Sequence, residues 1–541
     1  MQPRKSDKPV SEPSPESKLV SGPVRKPEVD ETPQAEASFP IVGVGASAGG
    51  LEAFTQLLSG LPIDSGMAFV MVQHLAPQHE SVLTELLSRS TSLPVTEVRD
   101  GMIVEPDHIY VIPPNMNMAL LHGKLNLMSR AEHPGQHLPI DYFFRSLAAD
   151  QGSKAIGVVL SGTASDGAQG LAAIKAEGGI TFAQDPKTAK YDGMPRSSIT
   201  AGVVDFVLGP REIALGLVRI GNHPYVAPHR FEKGDYLPPE SEHALNKVFI
   251  MLRAAYGVDF SFYKPTTIKR RVVRRMVLHR IDSLDGYIKL LQKNRDELDA
   301  LYQDVLINVT GFFRDSDAFD SRVKIVFPAI VKNHPPDSPI RIWVPGCSTG
   351  EEPYSIAIAW VEFMKDSGDG SQVQIFATDV SDPAIEKARG GIYPEGISAD
   401  VSPERLRRFF IKADGGYRIN KSIRDNCIFA RQDVTKDPPF SKLDLISCRN
   451  LLIYLSSVIQ KKIIPIFHYA MNPWGFLLLG SSETIGPFAD LYSLVDKKQK
   501  IYRRKATGNR VAAVDFVARG YSPERIDPHK TPSKFDETVW K

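Results

Sequence analysis

The sequence predicts an α/β multidomain protein in which two doubly wound, mainly parallel sheets flank a small all-helical domain. Short apolar runs alternate with helical patterns in two regions of the chain, and parallel sheets are built from strands that helices connect. In each region a turn of small residues stands directly between an apolar run and a helical pattern, at Gly45 and at Gly346. The 541 residues are enough for two or three domains with full-sized cores.

The bulk composition excludes several classes of protein. A net charge of +2 gives no global reason to expect nucleic acid or an anionic membrane as a partner. The three cysteines form no C-x-x-C pair, which excludes a disulfide framework and favours a reducing compartment. No apolar run approaches the roughly 18 residues that a membrane span needs, and the N-terminus has no signal-peptide core. We therefore expect a cytoplasmic protein that does not insert into a membrane.

Composition and periodicity divide the chain into six segments. The first is rich in Pro, Ser and Glu and cannot bury enough apolar surface to fold. A stretch with four prolines and no periodicity marks a linker between the first two folded parts. The predicted segments are 1–38 (disordered), 39–220 (first α/β domain), 221–240 (linker), 241–325 (helical domain), 326–505 (second α/β domain) and 506–541 (tail or linker).

Apolar runs predict the strands of both α/β domains. In the first domain they are FPIVGVG, AFVMVQH, HIYVIPP, KAIGVVLSG, GITFAQD and VVDFVL, with helical patterns such as GLEAFTQLLSGL and ESVLTELLSRS between them. In the second domain they are IRIWVPG, VQIFATDV, CIFARQDV, LDLISCRN and GFLLLGSS. The carboxyl ends of parallel strands meet at one edge of a sheet, so residues that follow these runs are candidates for functional sites.

The first candidate site begins at Ser47, in a G-x-S-x-G turn that exposes a serine hydroxyl at the edge of a sheet. The turn also matches a loose dinucleotide fingerprint, but that interpretation requires an acid on the second strand. The second strand ends instead at His74, and a third leads to Asp166. A serine nucleophile needs a base, and the base needs an orienting acid. We therefore predict a catalytic triad, with a structural loop histidine and a helix N-cap as the alternatives for His74 and Asp166.

The first domain resembles the catalytic domain of chemoreceptor-glutamate methylesterases of the CheB type. The segments that carry the resemblance are GVGASAGGLEAF, QHLAP, SGTASDGAQGL and AQDPKTAKYDGMPRSSITAGVVDFVL, and they cover about 39–215. The resemblance implies Ser47 as the nucleophile, His74 as the general base and Asp166 as the orienting acid. It also implies that the backbone amide of Thr163 helps to form the oxyanion hole.

Two features depart from this family's pattern. The threonine that usually follows the catalytic serine is Ala48 here, which removes a hydroxyl near the site. Family members usually carry a phosphorylated receiver domain ahead of the esterase, whereas only the predicted disordered segment precedes it in this sequence. We therefore expect no activation by a receiver domain in cis.

The second candidate site begins at RIWVPGCSTGEEPYSI, where an apolar run ends before Gly346 and a helical pattern opens at Glu351. Strand, small-residue turn and helix together bring a nucleotide-like cofactor against backbone amides. The run QIFATDV then places Asp379 at a strand end, where a carboxylate can accept both ribose hydroxyls of an adenosine. The turn has neither the G-x-G-x-x-G of a dinucleotide site nor the Lys-Ser/Thr of a P-loop. S-adenosylmethionine is therefore the best candidate cofactor.

Residues 241–505 resemble chemoreceptor glutamate methyltransferases of the CheR type. The matching segments are NVTGFFRDSDAF, PGCSTGEEPYSIAI, ATDVSDPAIEKARGGIY, FARQDV and LDLISCRNLLIYL. The resemblance implies an all-helical domain followed by a Rossmann-like domain that uses S-adenosylmethionine and no metal. The implied cofactor residues are Arg314, Gly346, Glu351, Asp379, Asp433, Asn450 and Tyr454. Tyr454 would lie near the reacting methyl group, and Asp433 stands where the family commonly has Asn. An ion pair of Arg314 with a neighbouring acid and a core position for Tyr454 are the structural alternatives.

A basic stretch, residues 263–280, contains seven Lys or Arg and no acid. On a helix, Arg270 and Arg274 align at i, i+4, and so do Arg271 and Arg275; such like-charge pairs are mildly unfavourable and favour a partner of opposite charge. No aromatic residue interleaves inside the run to stack nucleic-acid bases. The family resemblance implies that these arginines bind acidic helices of a chemoreceptor.

We therefore predict a fusion of two opposing enzymes. One would transfer methyl groups from S-adenosylmethionine to glutamates of methyl-accepting chemoreceptors, and the other would hydrolyse the resulting esters, with glutamine deamidation as a second reaction. Chemoreceptor cytoplasmic helices and other chemosensory signalling proteins would be the partners, and nucleic acid would not. The alternatives are a regulatory scaffold with an inactive esterase half and a cofactor-sensing half, and a methyltransferase that acts on another protein or on nucleic acid.

Overall fold

The computed structural model describes residues 39–74, 83–129, 138–221, 223, 225, 241–307, 309–335, 338–367, 372–413 and 415–506. Three predictions lie wholly or almost wholly outside the described residues: the disordered segment 1–38, most of the linker 221–240 and the tail 506–541 beyond its first residue. No helix within the described part of the chain is both long enough and apolar enough to cross a membrane.

The first α/β region contains the strands and helices of one layered unit. Its strands are β1 (Ile41–Ala46), β2 (Ala68–Gln73), β3 (Val95–Glu97), β4 (Met102–Ile103), β5 (Ile109–Val111), β6 (Met116–Leu121), β7 (Lys124–Ser129), β8 (Ala155–Val159), β9 (Ile180–Gln184) and β10 (Phe206–Leu208). Its helices are α1 (Gly50–Leu58), α2 (Leu83–Ser88), α3 (Pro139–Gln151), α4 (Ala168–Ala176), α5 (Gly193–Thr200) and α6 (Pro210–Gly221).

Seven of these strands form one sheet in the order β10-β9-β8-β1-β2-β5-β3, and each neighbouring pair is parallel. Side chains alternate between the two faces of a strand. On β1, Val42 and Val44 therefore pack with α1, α2 and α6, whereas Ile41 packs on the opposite side with α3 and α4. Helices cover both faces, which confirms the predicted doubly wound parallel sheet. The small antiparallel sheet β4-β7-β6 is not among the predicted elements.

A helical region follows, with its own buried core. Its helices are α7 (Ser241–Tyr256), α8 (Pro265–His279), α9 (Leu284–Lys293) and α10 (Arg295–Leu306). The next helix, α11 (Ser316–Asn333), packs instead into the core of the second α/β region through Phe319, Val326 and Ile330. Ile268, Val272 and Met276 recur along one face of α8 and are buried against α7, α9 and α10. Val277, near the end of α8, packs instead into the core of the first sheet.

The second α/β region contains more strands than the five that were predicted. Its strands are β11 (Ile340–Pro345), β12 (Val373–Asp379), β13 (Ile392–Pro394), β14 (Phe410–Ala413), β15 (Gly416–Ile419), β16 (Cys427–Arg431), β17 (Leu443–Cys448), β18 (Met471–Leu479), β19 (Tyr492–Asp496) and β20 (Ile501–Arg504). Its helices are α12 (Glu351–Ser367), α13 (Asp382–Gly390), α14 (Pro403–Phe409), α15 (Lys421–Arg424) and α16 (Ser457–Ala470).

Seven strands of this region form a mixed sheet in the order β16-β12-β11-β17-β18-β20-β19. The five predicted strands are parallel to one another, and β20 and β19 extend the sheet beyond β18 with antiparallel pairing. A separate antiparallel sheet, β13-β15-β14, is inserted between β12 and β16 and was not predicted. The Rossmann-like fold class is confirmed, and the carboxyl ends of β16, β12, β11 and β17 form one continuous edge.

Candidate active sites

Ser47, His74 and Asp166 follow three adjacent strands of the first sheet, β1, β2 and β8. The carboxyl ends of these parallel strands are aligned, so the three side chains converge. The Nδ1 atom of His74 lies 3.0 Å from Oγ of Ser47, and its Nε2 atom lies 2.8 Å from Oδ2 of Asp166. In the tautomer that suits this arrangement, Nε2–H donates to Asp166 and Nδ1 accepts the serine hydroxyl proton. The structure therefore brings the three predicted residues into one hydrogen-bonded chain.

The carboxylate of Asp166 is fully buried and is held by the first turn of α3. Ile140 N–H donates to Oδ2 at 3.0 Å, and Asp141 N–H donates to Oδ1 at 2.8 Å. The first amides of a helix have no partner within the helix, and the helix dipole favours a negative charge there. Asp166 thus caps α3, not the helix that follows it in the sequence, and does so while it orients His74.

Asp141 is a second buried carboxyl behind the triad, and sequence reasoning missed it. Gly170 N–H donates to its Oδ1 at 2.6 Å. Burial, and after it the charge of Asp166, raise the pKa of Asp141 to about 8. Asp141 is therefore mostly neutral at pH 7 and adds little charge to the site. The signal that could have drawn attention to this helix start is Pro139, a residue favoured in the first helical turn.

The loop after β8 lies directly against the nucleophile because residue 162 is glycine. A Cβ on Gly162 would stand 2.9 Å from Cβ of Ser47 and 2.1 Å from Sδ of Met194. The amide of Ser47 already donates to the carbonyl of Ser161 at 3.0 Å. The amide of Thr163 has no acceptor among the described residues, so its predicted part in an oxyanion hole stays a prediction that the local geometry permits.

The turn after β11 is organised around the carboxylate of Asp379. Ser348 N–H donates to one oxygen at 2.9 Å, and Ser381 N–H donates to the other at 2.9 Å. Burial raises the pKa of Asp379, and these amides oppose the shift. Gly346 has a φ of 69°, and a Cβ there would stand 3.1 Å from Leu451, so glycine allows the turn to approach the end of β17. Each carboxylate oxygen keeps a lone pair for a ligand.

A cavity of ≈ 580 Å³ adjoins this turn, with Arg314 and Glu351 in its lining. Thr349 Oγ1–H donates to Oε2 of Glu351 at 2.7 Å, and burial raises the pKa of Glu351. The hydroxyl of Ser348 is buried without a partner among the described residues. Thr349 and Glu351 line the cavity, whereas Asp379 and Ser348 lie next to it and not in its wall. A cavity of this size can hold a polar adenosyl cofactor. The opposite wall of the cavity comes from α4 of the first region, through Gln169 and its neighbours.

The loop after β17 is held by Glu483, which sequence reasoning missed. Asn450 N–H and Leu452 N–H donate to its carboxylate at 3.0 and 2.8 Å, and Gly480 N–H donates at 2.6 Å. Burial raises the pKa of Glu483, and the surrounding amides oppose that shift. Asn450 adopts φ 58° in this loop. Glu483 alone thus positions the loop that carries Asn450 at the edge of the sheet. No local motif in the sequence indicates this role of Glu483.

Arg314 does not pair with the acid beside it. Arg449, at the end of β17, instead donates to Asp315 at 2.7 Å and to the carbonyl of Arg314 at 2.9 Å. The Arg314 side chain is exposed and borders the cavity. The alternative of an Arg314–Asp315 pair is therefore wrong. A pair with Asp317 is not tested, because that side chain lies outside what the structure describes, and the cofactor contact of Arg314 stays a prediction.

Tyr454 lies at a junction of three parts of the chain. Lys264 N–H, from the helical region, donates to its carbonyl at 2.9 Å. Its side chain is half-buried. Burial raises the pKa of its phenol, and so does the charge of Glu177 at the end of α4, whereas Arg314 opposes the shift. Its place beside the reacting methyl group stays a prediction.

Asp433 is largely occupied by local contacts. Thr435 donates to its Oδ1 through both the backbone N–H, at 2.9 Å, and the hydroxyl, at 2.6 Å. The Asp433 side chain is buried, and its other oxygen lies 3.8 Å from Nζ of Lys436. The residue follows β16 at the cofactor edge, but its main contacts build the turn. Its predicted cofactor contact stays a prediction.

In the structure, three of the four arginines of the basic stretch contact acceptors within the chain, and the receptor-binding role of all four stays a prediction. Arg271 and Arg274 are 1% and 0% exposed, and their partners lie within the chain. Arg275 pairs with Glu297 of α10. Arg270 is half-buried and forms no ion pair among the described residues, and its Nε has no partner there. A receptor-binding role for the other three requires their present contacts to open. No group of three or more potential metal ligands is assembled within the described residues.

Fold and sites together define a serine-hydrolase-type triad on one sheet and an adenosyl-cofactor edge on another. Family models agree with that division: CheB methylesterase matches residues 42–217, the all-alpha domain of CheR methyltransferase matches 243–306, and its SAM binding domain matches 308–501. We call these parts the esterase domain, the helical domain and the methyltransferase domain.

Relatives show the family. Chemotaxis protein methyltransferase 2 of Vibrio cholerae is 31% identical over 242 residues, which are 44% of this chain and 83% of that protein. The chain therefore belongs to the chemotaxis protein methyltransferase family, with a CheB methylesterase domain ahead of the CheR domains. An uncharacterized 104.1 kDa protein of Rhodobacter capsulatus is 37% identical over 444 residues, 79% of this chain. This chain spans 46% of that longer relative.

A solved structure also matches the first part of the chain. The CheB methylesterase catalytic domain of Thermotoga maritima is 29% identical, with 34% of this chain and 98% of that chain covered and a TM-score of 0.32.

Proposed function

We propose that the chain both forms and hydrolyses glutamate methyl esters on chemoreceptors. The observation that carries the proposal is the presence, in one chain, of the hydrogen-bonded Ser47–His74–Asp166 chain and of the Asp379 turn beside the cofactor cavity. Methylation removes the charge of a receptor carboxylate, and ester hydrolysis restores it. The two activities together would set the charge of a receptor helix.

Ester hydrolysis follows from the contacts of the triad. Oγ of Ser47 attacks the ester carbonyl while its proton passes to Nδ1 of His74, 3.0 Å away. Asp166 accepts the Nε2–H bond and stabilises the imidazolium that forms. The imidazolium then protonates the departing methoxide. Methanol leaves, and the glutamyl acyl group stays on Ser47 as an acyl-enzyme. A water molecule, deprotonated by His74, hydrolyses that intermediate and returns the glutamate carboxylate.

Methyl transfer requires fewer catalytic side chains than ester hydrolysis. When bound, S-adenosylmethionine supplies a methyl group activated by a sulfonium. A glutamate side chain has a pKa of about 4.3 and is already ionised at neutral pH, so no general base is required. Asp379 and Asn450 would hold the adenosyl part, with Arg314 and Glu351 at the cavity beside it. Catalysis then consists of alignment and the exclusion of water.

The substrate and location remain parts of this proposal. Receptor cytoplasmic helices are the proposed substrates, and other chemosensory proteins are proposed partners. Nucleic acid is not expected, and the cytoplasmic location stays a prediction. Both domains match enzyme families, and the assembled triad weighs against a scaffold with an inactive esterase half.

A two-stage assay tests the proposal. The protein is incubated with methyl-labelled S-adenosylmethionine and receptor-containing membranes of the source organism, and base-labile label on receptor-sized protein is expected. Free cofactor is then removed, and the same protein should release the label as volatile methanol. Label on nucleic acid, or none on receptors, would contradict the transferase assignment. Label that forms but is never released would contradict the esterase assignment and favour the scaffold alternative for that half.

A further inference from the structure

The basic helix α8 already has partners within the chain, and they belong to the esterase domain. Arg271 donates to the carbonyls of Lys175, at 2.8 Å, and of Ala176. These carbonyls end α4, where a helix has unpaired acceptors and a partial negative charge. The sequence predicts a partner of opposite charge for this helix face, and the end of α4 supplies one.

Arg274 extends the same contact into a buried charge cluster. Its Nε–H donates to the carbonyl of Gly179 at 2.9 Å, and its guanidinium pairs with Asp205 of the esterase domain and, at 2.7 Å, with Asp304 of α10. The side chains of Arg274 and Asp205 are 0% and 1% exposed. A buried charge is tolerated only when it is fully paired, so this contact is specific and not a chance approach of two surfaces.

A second contact lies on the other side of the cofactor cavity. Arg145 of α3 donates to Asp400 of the methyltransferase domain at 3.1 Å and also to Gln169 of α4. A Cβ on Gly396 would stand 2.7 Å from Nε2 of Gln169, so the two surfaces are in direct contact. The esterase domain thus forms one wall of the cavity that holds Arg314 and Glu351.

The contact covers the surface that an acceptor protein would need. The charges of Glu177, Arg314, Arg271 and Arg270 all act on the phenol of Tyr454. Glu177 is an exposed glutamate directly after α4, and a Cβ on the next residue, Gly178, would stand 3.4 Å from Nε of Arg270. Glu177 stands at the C-terminal end of a helix, where the backbone carbonyls carry a partial negative charge. This helix end therefore offers the same negative charge as the acidic receptor helix expected as the substrate.

We propose that the esterase domain is the resting occupant of the basic helix, and that an acidic receptor helix reaches the methyl-transfer site only by displacing it. This inference rests on the proposed function, because it assumes that receptor helices bind α8. The end of α4 and Asp205 then act as an internal mimic of the substrate. Receptor methylation requires the two domains to separate, whereas the triad in the esterase domain does not depend on that separation.

A reversible covalent lock tests the inference. The Cβ position of Gly396 lies 3.5 Å from Cγ of Gln169, the atom whose place a cysteine sulfur would take, so the two side chains are close enough to join as a disulfide. The double variant Gln169→Cys, Gly396→Cys is oxidised, and methyl transfer to receptor-containing membranes is compared before and after reduction. We expect transfer to fall at least about fivefold in the locked form and to return on reduction, while methanol release from premethylated receptor remains.

A charge reversal tests the same contact in the opposite direction. Glu177→Lys places a cation next to Arg270 and Arg271 and should weaken docking, so methyl transfer should rise. Glu97→Lys, an exposed reversal on β3 at the far edge of the esterase sheet, is the matched control and should leave transfer unchanged.

The outcomes separate the inference from the proposed function. Equal transfer by the locked and reduced forms would overturn the inference and leave the proposed function intact. Failure of the disulfide to form in the folded protein would also overturn it, because the docked arrangement would then not be populated. No receptor methylation by any form, wild type included, would contradict the proposed function and the inference with it.

Discussion

The two candidate sites of this chain are built from different parts of the polypeptide. In the esterase domain the decisive contacts join side chains, from Ser47 through His74 to Asp166. In the methyltransferase domain they join buried carboxylates to backbone amides, at Asp379 and at Glu483. Both sites occupy the carboxyl edge of a parallel sheet, so the fold does not account for the difference.

The difference follows from the two proposed reactions. Ester hydrolysis moves protons, and each proton needs a side chain that can give or accept it. Methyl transfer to an ionised carboxylate moves none, so alignment of two molecules is sufficient. Single substitutions should therefore be severe in the esterase site and graded in the methyltransferase site.

The largest expected effect is that of Ser47→Ala. Loss of the nucleophile should lower methanol release from methylated receptor about 1,000-fold or more, because the acyl-enzyme cannot form. Methyl transfer by the same variant should be unchanged. Ser59→Ala, an exposed serine just after α1, is the control and should retain both activities. Undiminished methanol release by Ser47→Ala would show that the triad is not the hydrolytic centre.

Asp379→Asn should have the next largest effect, on the methyltransferase alone. Its amide group cannot accept hydrogen bonds at both positions where Ser348 N–H and Ser381 N–H now donate. We expect the KM for S-adenosylmethionine to rise about 10- to 100-fold, the range for loss of hydrogen bonds to a charged group. Asp382→Asn, an exposed acid three residues later, is the control. Equal KM values for the two variants would show that Asp379 does not bind the cofactor.

The contrast also explains what the sequence could reveal. Ser47 and His74 directly follow apolar strands, so strand prediction alone placed them at a sheet edge. Asp379 ends such a strand and Asp166 lies in the loop after another, so the same argument placed them there as well. Glu483 follows β18 by a few residues, yet its role depends on a loop that lies 30 residues earlier in the chain. Long-range contacts between a lone acid and backbone amides leave no periodic or motif signal.

The arginines of α8 show a second limit. Their charge pattern predicts an acidic partner, and it cannot distinguish a partner outside the chain from one within it. Asp205 of the esterase domain is 69 residues from Arg274 in the sequence and meets it only when the two domains dock. The antiparallel sheets β4-β7-β6 and β13-β15-β14 were missed for a simpler reason, since most of their strands are short or partly exposed and lack continuous apolar runs.

A smaller, pH-dependent effect on stability is expected at Asp141, the buried carboxyl behind the triad. Its pKa is about 8 in the folded protein and about 3.9 in an unfolded chain. The folded state therefore binds the extra proton between these values, and this contribution to the free energy of unfolding is lost as the pH rises towards 8. Asp141→Asn keeps an acceptor for Gly170 N–H and cannot ionise.

Denaturant unfolding at pH 5, 7 and 9 measures this difference. The variant Asp141→Asn should match wild type at pH 5 and become the more stable protein at pH 9. Asp64→Asn, at an exposed acid, should follow the wild-type profile at every pH. Parallel profiles for wild type and Asp141→Asn would show that the buried carboxyl does not titrate in this range.

The smallest expected effect is that of Asp433→Asn. Both donors of Thr435 meet Oδ1, an oxygen that asparagine keeps, and the other oxygen only faces the exposed Lys436 at 3.8 Å. A contact of that kind contributes at most about 1 kcal/mol, so the KM for S-adenosylmethionine should change less than about fivefold. A KM increase as large as that of Asp379→Asn would instead make Asp433 a cofactor ligand. The methyltransferase site would then bind its cofactor through two carboxylates, Asp379 and Asp433. It would in that respect resemble the esterase site, where side chains make the decisive contacts.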